Sequence, residues 1–169
     1  MNENTTLVEI FNLAIKNHQA NKIDVAQDLY SQVLEIDPDH LGALNNIGTI
    51  FLNLGENQKA KECFEKAIKI NPNHATGYNS LGIILHKFRE LQNSITCYEK
   101  AIEIDPNYSN AYNNLGAVFK ELKEYKKAAS CYEKAIEIDP KYIKAHNNLG
   151  VVFFELGDNL KAKDCYEKA

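Results

Sequence analysis

The feature that most limits how this chain can fold is its period. Pro38, Pro72, Pro106 and Pro140 are spaced at 34 residues, and Cys63, Cys97, Cys131 and Cys165 keep the same spacing. The stretch from Tyr112 to Pro140 (YNNLGAVFKELKEYKKAASCYEKAIEIDP) returns one period earlier as YNSLGIILHKFRELQNSITCYEKAIEIDP, from Tyr78 to Pro106. Each copy carries two apolar stripes at helical spacing, a tight turn between them and a proline stop. A period of this length with helix–turn–helix content predicts stacked repeats that share a ribbon-like core between neighbours. The reading is five units, 7–40, 41–74, 75–108, 109–142 and 143–169, the last lacking its terminator. They follow a polar segment, 1–6, expected to be disordered or a loose first turn.

Within each unit the first helix presents positions 4, 7, 8 and 11 on one side, as Tyr112, Leu115, Gly116 and Phe119 do in the fourth. Position 8 is Gly48, Gly82, Gly116 and Gly150, with Ala14 in unit one. A mid-helix glycine costs about 1 kcal/mol against alanine, so its recurrence predicts a close approach of two helices. The second helix carries a small residue at position 20 (Ala26, Ala60, Ser94, Ala128, Ala162) and a ring at position 24 (Tyr30, Phe64, Tyr98, Tyr132, Tyr166). Asn21, Gly55, Arg89, Lys123 and Gly157 stand between the helices, where a left-handed residue ends a helix.

This pattern, L-G-x-x-F/L…A…Y/F…A…P at period 34, resembles the tetratricopeptide repeat and spans residues 7–169. The resemblance implies an all-α fold, a right-handed α-solenoid of tandem helix–turn–helix units, acting as a protein-interaction scaffold with a concave binding groove. Position 4, tryptophan in the usual pattern, is Ile10, Leu44, Tyr78, Tyr112 and His146 here, and unit one departs furthest.

The groove stripe implied by the family is positions 2, 5, 6, 9, 12 and 13 of each first helix, within an arc of about 120° opposite the packing stripe. It carries Asn12, Asn45, Asn46, Asn79, Ser80, Asn113, Asn114, Asn147 and Asn148, together with His86, Lys87, Lys120 and Lys144. A carboxamide both donates and accepts, so a ladder of asparagines suits the backbone of an extended peptide. Repeats about 10 Å apart and a strand rise of about 3.3 Å would give one asparagine for about three ligand residues. Against this stands the reading that the asparagines only bond neighbouring turns of the superhelix. Some relatives grip a C-terminal carboxylate. At the matching positions, Asn79, Ile83, Asn114, Lys144 and Asn148, only Asn114 and Lys144 agree, which speaks against that ligand.

Composition narrows the field further. A net charge of −4 argues against a nucleic-acid partner, and no run of 18 apolar residues suggests a membrane span. The expected compartment is the cytoplasm or nucleus, since no secretory leader is legible. The cysteines, one helix spacing apart, are expected to be reduced packing residues, with neither disulfide nor metal. No cofactor is expected, and no catalytic constellation joins His18, His40, His74, His86 or His146 to a nucleophile and a carboxylate. Two alternatives to the scaffold remain. The chain could be the recruiting arm of a larger enzyme such as an O-linked N-acetylglucosamine transferase, whose repeats are similarly asparagine-lined. It could instead self-associate through an uncapped last helix whose Ala162, Cys165 and Tyr166 are expected to be exposed.

Overall fold

A computed structural model describes residues 3–169, with side chains from residue 6 onward. These residues form ten α-helices and no strand: α1 (Glu3–Gln19), α2 (Ile23–Ile36), α3 (Leu41–Leu54), α4 (Asn57–Ile70), α5 (Ala75–Lys87), α6 (Leu91–Ile104), α7 (Ser109–Glu121), α8 (Tyr125–Ile138), α9 (Ile143–Glu155) and α10 (Asn159–Glu167). Two helices per period is the order expected from the sequence. At the N-terminus α1 begins at Glu3 and takes Glu3–Thr6 into its first turns. Met1 and Asn2 lie outside the described residues.

The link inside each pair is the same five times over. Asn21, Gly55, Arg89, Lys123 and Gly157 all have positive φ, between 57° and 80°. The following N–H then reaches back five residues to a carbonyl: Lys22 to Asn17, Glu56 to Phe51, Glu90 to Leu85, Glu124 to Phe119 and Asp158 to Phe153, at 2.8–2.9 Å. That bond, with the left-handed residue before it, is a Schellman stop. Glycine adopts this conformation freely; Arg89 and Lys123 do so at a cost of about 1–2 kcal/mol. The link between pairs is equally regular. Asp37, Asn71, Asp105 and Asp139 each accept the N–H two residues on, at 3.0–3.1 Å across the intervening proline. Proline has no N–H to offer, so the side-chain oxygen takes the next one and closes an Asx turn.

The chain divides into two compact units, residues 1–84 and 85–169, the division falling inside α5. In the first, α1 packs on α2, α2 on α3 and α3 on α4. Its core joins Ala14, Ala26, Tyr30, Val33, Ala43, Ile47 and Ile50, with a second cluster of Ala60, Phe64 and Ile84. In the second, α6 packs on α7, α7 on α8, α8 on α9 and α9 on α10, and α7 also touches α9. There the core is Ala128, Ala129, Tyr132, Leu149, Val152 and Cys165. The glycine of position 8 is a close approach, as expected. A Cβ on Gly48 would meet Cys63 and Phe64 at 3.1 Å, and one on Gly116 would meet the Tyr132 ring at 2.8 Å.

The last pair corrects one expectation. Ala162 and Cys165 are 3% and 6% exposed, so the apolar face expected to be open is not formed by them. Both lie on the side of α10 turned to α9 within its own pair, while Tyr166 rests its ring against Gly150 of α9 and still remains 46% exposed.

None of the four cysteines is in a disulfide. Burial pushes the Cys63 and Cys131 thiols up to about 11 and raises Cys165 as well. These three sit as protonated packing groups. His146, at position 4, is a core side chain whose Nε2 bonds the Pro140 carbonyl at 3.0 Å.

Candidate peptide-binding face

The asparagine row lies on the first helix of each pair, and its two columns behave differently. Position 5 turns inward: Asn79 is 6% and Asn113 1% exposed, and Asn45 is half-buried. Position 6 stays half-exposed, as Asn46, Ser80, Asn114 and Asn148. Asn79 and Asn113 therefore offer no free face to a ligand. Asn113 lies on the side of α7 where the next first helix, α9, stacks. Asn12 and Asn147, at the first and last helices of the row, are exposed.

In the first unit, Asn45 Oδ1 accepts from His74 Nε2 at 2.6 Å, tying α3 to the turn before α5. Burial holds the His74 imidazole below its usual range, which keeps it neutral with Nε2–H as the donor. Asn46 bonds the hydroxyl of fully buried Tyr30, whose acidity burial suppresses, and His18 Nδ1 stands 3.5 Å from the same oxygen. Ile15, His18, Gln19, Tyr30 and Asn46 line a hollow of about 410 Å³.

In the second unit, Asn148 Nδ2 donates to Asn113 Oδ1 at 3.0 Å, linking α9 to α7, and Asn113 Nδ2 donates to Asn114 at 3.4 Å. His86 Nε2 meets Glu121 at 2.7 Å, and Arg89 binds the same carboxylate. These bonds, His86 first, hold Glu121 below the usual carboxylate range. Tyr142 donates to Asn110 at 2.5 Å and Tyr125 to Glu155 at 3.2 Å. The two carboxylates of this face are thus engaged, whereas Lys120 and Lys144 pair with no carboxylate among the described residues. Lys87 is exposed beside His86 on the last turn of α5.

Three of these partners were not singled out from sequence, Asn110, Tyr125 and Tyr142, while Tyr30 was read only as a packing ring and His74 only as one of the scattered histidines. A signal existed for some of the cross-links. Asn113–Asn148 and His86–Glu121 both join residues 35 apart, one more than the period. A polar residue at one position facing a polar residue one place later in the next repeat is the trace such a cross-link leaves.

Family models described as Tetratricopeptide repeat match residues 42–74 and 63–96, and one described as TPR repeat matches 90–123 and 118–157. The chain belongs to the tetratricopeptide repeat family. No curated protein matches it. Among solved structures, the crystal structure of MamA is 28% identical with a TM-score of 0.80, covering 92% of this chain and 91% of that one. Pseudomonas aeruginosa pilF is 19% identical with a TM-score of 0.87, covering 99% and 77%. YrrB, described as a TPR protein with an unusual peptide-binding site, is 22% identical with a TM-score of 0.74, covering 99% and 90%. At that identity the last two show the fold alone, an α-solenoid of tandem helix–turn–helix repeats. Among the described residues of this tetratricopeptide chain, no helix is long and apolar enough to cross a membrane, and no His/Cys/Asp/Glu cluster could hold a metal.

Proposed function

We propose that the chain is a protein-interaction scaffold that holds an extended peptide against the first-helix face by its backbone. The observation that carries this is the split of the asparagine row. Position 5 is spent on linking repeats at Asn45 and Asn113, and position 6 stays half-exposed at Asn46, Ser80, Asn114 and Asn148, with Lys120 and Lys144 uncommitted beside it in the second unit. Buried Asn113 fixes the orientation of Asn148, so the ligand-facing groups are held in place before binding, which limits the entropy lost on association. A mild preference for acidic peptides follows from the lysines. The same fold carries a peptide-binding site in YrrB. The expected role is binding, without catalysis by this chain, in a soluble compartment such as the cytoplasm.

The test uses peptides selected from a random library on the intact chain. Asn114→Ala and Asn148→Ala should each weaken such a peptide by about 0.5–1.5 kcal/mol. Asn113→Ala should mainly lower the melting temperature, because it strands the buried Asn148 contact. If the selected peptides bound both groove variants as tightly as the parent, the row would be purely structural and the proposal would fail.

A further inference from the structure

The second unit carries a separate feature at its turns, past the C-terminal ends of the first helices. Position 14 of the repeat, the residue before each left-handed turn, is Phe88, Leu122 and Leu156, and these are 40%, 40% and 44% exposed. Single exposed apolar residues are ordinary on a protein surface. A row at one repeat position is not, since stacking sets its members about 10 Å apart along one edge. Between the fourth and fifth turns the row meets a hollow of about 420 Å³ lined by Lys123, Glu124, Tyr125, Lys126, Lys127 and Leu156.

The charges around that hollow are unevenly committed. Glu124 is held by Lys127 at 2.5 Å, and Lys127 also lies 5.2 Å over the Phe119 ring. Tyr125 uses its hydroxyl on Glu155. Lys123 and Lys126 pair with no carboxylate among the described residues, so the rim presents two free ammonium groups over an apolar floor of Leu156 and the Tyr125 ring. Lys123 also holds φ at 60°, where Gly55 and Gly157 meet the same turn without strain. A strained residue that repeats elsewhere replace by glycine is a reason to look for a use of its side chain.

We infer that this turn edge is a second docking surface, taking an acidic segment of a partner protein that inserts one large apolar side chain between Lys123 and Lys126 onto Leu156. The ligand chemistry follows from the floor and the rim together, an apolar body flanked by carboxylates. A flat anionic lipid surface would meet the projecting row but leave the hollow unfilled, so the protein segment fits better.

The probe is a labelled peptide, Glu-Asp-Glu-Phe-Glu-Asp-Glu, titrated into the ¹⁵N-labelled chain. Amide shifts are expected at residues 122–127 and 156. The double variant Lys123→Glu/Lys126→Glu should weaken binding about tenfold or more, as should replacing the peptide's phenylalanine by alanine. Lys123→Gly guards against a folding artefact, because it should raise the melting temperature while lowering affinity. Asn114→Ala and Asn148→Ala should leave this binding unchanged, which separates it from the first-helix face. Absence of shifts at millimolar peptide, or equal binding by the double variant, overturns the inference. So do phosphatidylserine–phosphatidylcholine vesicles that shift these amides when the peptide does not, an outcome that assigns the edge to lipid.

Discussion

Gly116 and Gly150 occupy one repeat position and face the same kind of ring, yet their replacement should go opposite ways. A Cβ on Gly116 would stand 2.8 Å from Tyr132, which is fully buried and cannot move aside. A Cβ on Gly150 would stand 2.6 Å from Tyr166, which is 46% exposed and free to swing outward. Gly116→Ala should therefore lose about 1–3 kcal/mol to overpacking, outweighing the helix propensity gained. Gly150→Ala should keep most of its propensity gain of about 1 kcal/mol. Thermal unfolding reads the difference directly, at roughly 2–4 °C per kcal/mol for a chain of this size. Equal loss at both sites would mean that Tyr166 is as fixed as Tyr132. The sequence shows the two glycines as equivalent; only the covering of one ring and not the other separates them.

Among the elements, the joint between α5 and α7 has a titratable clasp. Glu121 binds His86 and Arg89, and these partners depress its carboxyl. A depressed folded value means that the stabilisation is present above the unfolded value, about 4.3, and is lost as pH falls through the lower folded value. Glu121→Gln should accordingly lower the melting temperature at pH 6. The gap to the parent should close by about pH 3, and added salt should shrink it because the partners are solvent-exposed. A gap that persisted unchanged at pH 3 would make the contribution one of packing. The order of the helices, two to each repeat, was legible because turn and stripe recur five times and reinforce one another. The clasp was not, because it joins residues 35 apart whose side chains meet only after stacking.

Across the whole molecule, a repeat array opens in parts, each helix being as protected as its neighbours make it. In the second unit α8 buries Ala128, Tyr132 and Ala135 completely, while α10 is a nine-residue helix burying only Ala162 and Cys165. Native-state hydrogen exchange should show the greatest protection in α8 and the least in α10. A single opening energy for both helices would instead make the unit one cooperative block. The sequence alone determined the period, the paired helices of each repeat, the left-handed turns and the glycine approach. Each of these follows from local chemistry repeated in register. What it left open was which of two adjacent asparagines the neighbouring helix covers. Helical periodicity places positions 5 and 6 on the same stripe, 100° apart. Only the stacking of the next helix decides which flank is covered, burying Asn113 under the bond from Asn148 and leaving its neighbour Asn114 half-exposed.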